Sequence, residues 1–126
     1  MNYQKLQEKA LTLLTQHGRA ITVRKIEKGE YNSETDTYSK TITEYNTYGV
    51  IENYSYKEIS VVNNAGMIKI GDKKLILGVN SSLPELTGEI DWNVIIDNEI
   101  WDVLEIKPLK PALIVVLYEI QIRKVQ

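Results

Sequence analysis

The residues of this chain that could do chemistry are few and do not group. The single histidine, His17, stands beside Gly18 at the end of a helical pattern, where a charged imidazole stabilises the last carbonyls of a helix. With no cysteine and no second histidine, it cannot enter the common metal sets or a nucleophile–base–acid triad. Asn32, Glu34 and Asp36 offer oxygen ligands at alternate positions, as a calcium loop does. Thr37 and Thr43 stand where such a loop needs its glycine and its bidentate glutamate, so a solvated turn is the better reading. Residues 85–105 hold seven acids and no base: Glu85, Glu89, Asp91, Asp97, Glu99, Asp102 and Glu105. Two carboxylates can share acid and base work, but these spread over a loop, two strands and a turn, and nothing nearby desolvates a chosen pair. No GxGxxG or P-loop spacing occurs. The expectation is therefore a protein without catalytic, cofactor-binding or metal-binding residues, and not an enzyme.

The tyrosines are the more informative set. Six of the eight, at 31, 38, 45, 48, 54 and 56, fall between residues 30 and 58, and the chain has no phenylalanine. A tyrosine joins an apolar ring to a polar tip, which suits half-buried positions and protein interfaces. The same rings could stack on bases, but residues 30–58 carry net charge −4, which repels a phosphate backbone. Protein contact is the functional reading, although Tyr45 and Tyr48 suit ordinary packing across a strand ladder. Charge runs in blocks: +4 over residues 1–28, strongly negative over 85–105, and +3 over 107–124, within a total of −2. Such blocks read as solvated surface or as complementary faces of neighbouring subunits, and a general nucleic-acid binder would be more basic.

The elements that must position these residues follow from periodicity. Leu6, Ala10, Leu13, Leu14 and His17 recur at helical spacing, widened by Leu11, with Asn2 as N-cap and Gly18 as a left-handed stop. This predicts a helix over 2–17. From Ala20 the pattern turns β: strands over 20–27 and 40–48, then Lys74 to Val79 after a turn at Gly71-Asp72. Ile90 to Ile96 and Glu99 to Ile106 follow, joined by a two-residue turn at Asp97-Asn98, and after a break at Pro108 to Pro111 comes Ala112 to Arg123. The polar stretches 28–39 and 53–66 read as loops. The fold class is mostly β: a small antiparallel β-barrel or sandwich of six or seven strands, with one N-terminal α-helix and long polar loops. A single domain over 1–126 is expected, with the barrel over 20–124. Trp101 should pack in the core with Val103 on its strand face. The N-terminus lacks the apolar segment of a secretory signal and no apolar run approaches membrane-spanning length.

In the order of its motifs the chain resembles the small head-tail joining, or head-closure, connector proteins of siphophages and prophages. The resemblance rests on His17-Gly18-Arg19 leading into Ile21-Thr22-Val23-Arg24, then Gly29-Glu30-Tyr31 through Thr37-Tyr38. It continues with Ile70-Gly71-Asp72-Lys73-Lys74-Leu75, Gly88-Glu89, Ile96-Asp97-Asn98-Glu99-Ile100-Trp101, and Val116 through Arg123. Each piece is weak alone, and order and spacing carry the specificity. Glu89 stands where aspartate is common in that family, and Asn98 where glycine is common.

The resemblance implies a β-barrel that self-associates into a homo-oligomeric ring below the portal, seals packaged DNA and presents a surface to the tail. Portal or adaptor proteins would lie above and tail proteins below. It implies a structural protein of the virion, assembled in the bacterial host cytoplasm, with no specific nucleic-acid binding and no membrane contact. Interfaces fall in the helix around Leu6, Leu11 and Leu14, the loop holding Tyr31 and Tyr38, and the region of Tyr54 and Tyr56. The alternatives are a tail-terminator or tail-completion subunit and, from another class, a single-strand nucleic-acid-binding barrel of the OB type. Two further expectations concern dynamics: that Lys28–Ser39 is mobile until assembly orders it, and that the helix is free to act as an adhesive.

Overall fold

A computed structural model of the chain describes residues 2–55, 57–59, 62–63, 66–88 and 90–125. The helix α1 runs from Tyr3 to His17, and Asn2 caps it by accepting from the backbone N–H groups of Gln4 at 3.1 Å and Lys5 at 3.2 Å. Its C-terminus departs from expectation. Gly18 has φ −106° and ψ −154°, an extended conformation, and is not a left-handed stop. Glycine is required there for another reason: a Cβ on Gly18 would lie 2.2 Å from the carbonyl oxygen of Gly49. The chain must pass this close to enter the first strand directly.

Six strands then close a ring. They are β1 (Arg19–Asn32), β2 (Thr37–Asn53), β5 (Lys73–Gly78), β6 (Asp91–Ile96), β7 (Glu99–Leu109) and β8 (Leu117–Lys124). The short β3 (Val62–Asn63) and β4 (Gly66–Met67) pair only with each other. Around the barrel the order is β1-β2-β5-β8-β7-β6, with β6 returning to β1 and every pairing antiparallel. Alternate residues of each strand point inward, so Ile21 and Val23, Leu75 and Leu77, Trp92, Val94 and Ile96, and Tyr118, Ile120 and Ile122 fill the interior. Leu83 and Leu86, from the loop after β5, extend this core. The loop is tied down where the Leu86 N–H donates to the Tyr118 hydroxyl at 3.1 Å and the Trp92 indole donates to the Thr87 carbonyl at 2.8 Å.

The turn at Asp97-Asn98 is as expected: φ is 51° and 66°, and Ile96 pairs with Glu99, the geometry of a type I′ hairpin. The break expected over Pro108 to Pro111 is present but starts two residues later and is longer, over 110–116. β7 continues through Pro108, opposite Tyr118, and ends at Leu109. β6 reaches only as far as Asp102 on the other side, so a residue without an N–H costs no ladder bond there. β8 accordingly starts at Leu117, later than Ala112.

The largest correction is to the loop expected over 28–39. β1 and β2 stay paired through Asn32 and Thr37, with a register shift between Lys28 and Tyr31, so this stretch is a two-stranded ribbon around a turn at 33–36. Its ladder supplies the order that an apolar pattern would otherwise signal, which is why alternation did not reveal it. In the second expected loop, Asn53 ends β2 and β3 pairs with β4.

Candidate interaction surfaces

The ribbon is the first surface. β1 pairs with β6 only as far as Ile26, and β2 pairs with β5 only from Gly49 onward. Along Glu27–Ile42 the two strands have ladder partners only in each other, and every residue there is exposed. At its tip Tyr31 and Tyr38 are directly paired, their ring centroids 5.0 Å apart, and both are more than half exposed. The Tyr31 hydroxyl donates to Asp36, which raises its pKa. Lys28 sets its ammonium 5.7 Å from the Tyr38 ring, and Asn32 accepts from the Glu34 N–H at 2.9 Å. Asn32, Glu34 and Asp36 thus stabilise a turn, and among the described residues no group of three or more potential ligands is assembled to hold a metal.

The second surface is the outer wall of β5, β8 and β7, where the segment after β2 lies across the barrel. Tyr54, Glu58 and Ile68 meet Glu105, Lys107, Glu119 and Gln121 around a cavity of about 110 Å³. Beside it, Asp72 is buried and accepts from Arg123 at 2.8 and 2.9 Å, from the Gln121 amide at 2.9 Å and from the Lys69 N–H at 2.9 Å. Burial alone would raise the Asp72 pKa; the Arg123 bonds, with those from Lys69 and Gln121, outweigh it and hold the carboxyl below its usual range. Lys74 bonds Glu58 at 3.2 Å, pairs with Glu119 at 3.6 Å and lies 5.4 Å from the Tyr54 ring. Burial and the surrounding carboxylates of Glu119, Asp72, Glu58 and Glu105 push Tyr54 up to about 12.

Tyr54 is expected at an interface from the sequence, but the network around it is not visible there. Gln121 and Arg123 alternate with core residues and look like solvent-facing positions, and only the covering segment buries Gln121 and partly covers Arg123. Tyr56 and Glu89 lie outside the described residues.

The helix corrects a further expectation. Leu14 is buried and Leu11 half-buried against the chain's own barrel, both their Cδ1 atoms facing Gly78. A Cβ at Gly78 would meet Leu11 at 2.8 Å, so the missing side chain creates the seat. Gln7 adds a bond to the Val115 carbonyl at 2.7 Å. The apolar stripe that was to be adhesive is therefore largely spent within the chain. Leu6 and Leu13 remain exposed, at 38% and 48%.

The acidic stretch does not form a cluster. Asp97 pairs with Arg19 at 2.6 Å, Glu99 with Lys124 at 3.1 Å and Glu85 with Lys110 at 3.7 Å, all at the surface. His17 is exposed in the last turn of the helix. No helix among the described residues is long and apolar enough to cross a membrane. Compared with models of known families and with characterised proteins, the chain matches none.

Proposed function

We propose that this chain is a structural assembly subunit of a tailed bacteriophage or prophage virion, joining head to tail through protein contacts and sealing the packaged DNA. The observation that carries the reading is the β1–β2 ribbon. A two-stranded hairpin without a third strand or a packed face is marginally stable in water, yet here sixteen consecutive residues, 27 to 42, leave the barrel in that form. The ribbon presents two tyrosines, exposed Ile42 and unpaired strand edges, the means by which proteins add strands and bury aromatic anchors at an interface. The motif order set out above supplies the virion context, and the closed barrel supplies a rigid base.

The test is reconstitution. Heads and tails prepared from a phage lacking the gene are mixed with the purified protein and counted by electron microscopy. Joined particles are expected; heads that stay open and unattached at saturating protein would overturn the reading. If the protein instead attaches to isolated tails, and only such tails then join untreated heads, its role is that of a tail-completion subunit.

A further inference from the structure

One edge of β2 is open, and it is complementary to itself. The ladder to β1 follows the strand along its length, but on the other side β5 pairs with it only from Gly49 onward. On that second side the Asn46 carbonyl accepts from the Asn80 amide at 2.7 Å, and a Cβ on Gly78 would lie 3.2 Å from the Tyr48 carbonyl. In an antiparallel strand the N–H and C=O of one residue point to the same edge, and every second residue repeats the choice. The backbone groups of Lys40, Ile42 and Glu44 therefore point out along this edge, where no ladder partner meets them among the described residues.

The side chains on these three residues are equally unspent. Ile42 is 46% exposed. Lys40 stands directly opposite Lys28 in the β1–β2 ladder, a like-charge pair that costs stability. Both lysines line the cleft that holds Asp91 and Asp102, yet neither forms an ion pair among the described residues. Glu44 stands opposite Arg24 and forms none either.

We propose that this edge is a docking site for a second copy of the chain, which pairs with it through residues 40–44 about a two-fold axis at Ile42. With the two β2 strands antiparallel and Ile42 opposite Ile42, Lys40 of each copy falls opposite Glu44 of the other. Each of these pairs exchanges both of its backbone bonds, and on the other face Thr41 meets Thr43, a favourable hydroxyl pair. Neighbouring registers lose this match: one step to either side sets Ile42 against Lys40 or against Glu44, and a further step sets like charges opposite each other. The bond from Asn80 ends the ladder at Asn46. Because the contact is isologous, it closes on itself and leaves this edge with no site for a third copy. The proposal rests on the reading of the ribbon as the contact surface and adds how its edge is covered before a particle is met.

So short a ladder makes a small interface, and a dissociation constant on the order of 10 to 100 μM is expected. The test is sedimentation equilibrium of the full chain at concentrations up to roughly 1 mM. The parent should dimerise. Lys40→Glu and Glu44→Lys should each be monomeric, because each sets like charges opposite at both ends of the ladder. An equimolar mixture of the two should form a heterodimer, and the double variant, with the charges exchanged, should dimerise like the parent. Amide exchange should slow with rising concentration at Lys40, Ile42 and Glu44 but not at Thr41 and Thr43, whose N–H groups point to β1.

A parent that stays monomeric would overturn the proposal, as would single variants that dimerise like the parent or a mixture of them that stays monomeric. Each of these outcomes is read on the isolated chain. The dimer can therefore fail while heads and tails still join, and stand while they do not.

Discussion

Single side chains decide what is core and what is clasp. Trp101 was the tryptophan expected inside; its strand face is as expected, but it is half-buried at the barrel end, and Trp92, at 5% exposure, is the enclosed one. Trp92→Ala should cost about 3 to 5 kcal/mol, and Trp101→Ala clearly less, about 1 to 2 kcal/mol, in urea unfolding; equal costs would contradict the burial. Alternation alone told the faces apart but not how far along the strand the interior extends. Asp72 allows a sharper test. Because its folded pKa is lowered, its stabilisation is fully present above the unfolded carboxyl value of about 3.9 and is lost as pH falls through the lower folded value. The stability gap between wild type and Asp72→Asn should therefore be constant near neutral pH, shrink below about pH 4 and close at still lower pH. A gap that persists at the acid end would assign the effect to packing. The turn that the sequence predicts at Gly71-Asp72 is present, with Gly71 at φ 97° and the Asp72 N–H donating to the Lys69 carbonyl at 3.1 Å. Its burial depends on Gln121 and Arg123, some fifty positions away, and no local pattern carries that.

At the scale of elements, those with strong local chemistry were legible. Asn2 caps the helix, Asp97-Asn98 makes the hairpin, and alternating β-branched residues mark the barrel strands. Elements held by pairing alone were not: the ribbon has no apolar face, and its strands exist because the register of β1 on β2 carries on past the barrel. Its backbone bonds should consequently exchange faster than those of β5 or β8, since no packing protects them; protection in the isolated chain equal to the barrel's would show that the ribbon is covered. The helix teaches the reverse. Its stripe was legible, but its target was not, because the seat is a glycine, Gly78, that periodicity does not flag. Leu14→Ala should cost about 2 to 4 kcal/mol, and Leu6→Ala about 0.5 kcal/mol or less. A near-neutral Leu14→Ala in thermal unfolding would return the helix to its expected role as a free adhesive.

The whole molecule is a closed barrel that keeps its own helix and loop segments for stability and sends outward one ribbon, the segment proposed to make contact. The division is physical. Leu14, Trp92 and Asp72 are enclosed, whereas Tyr31, Tyr38 and Ile42 lie in the open. Substituting Tyr31 and Tyr38 together by serine should leave the melting temperature within a few degrees, because both are surface residues of a segment the barrel does not use. The central claim is that this ribbon joins particles, and it is tested most directly by replacing residues 29–39 with Asn-Gly and complementing a phage that lacks the gene. The account predicts a variant whose circular dichroism and thermal unfolding show an intact barrel but whose lysates hold unattached heads and tails in electron micrographs. Normal infectious particles from a folded, ribbon-shortened chain would contradict it.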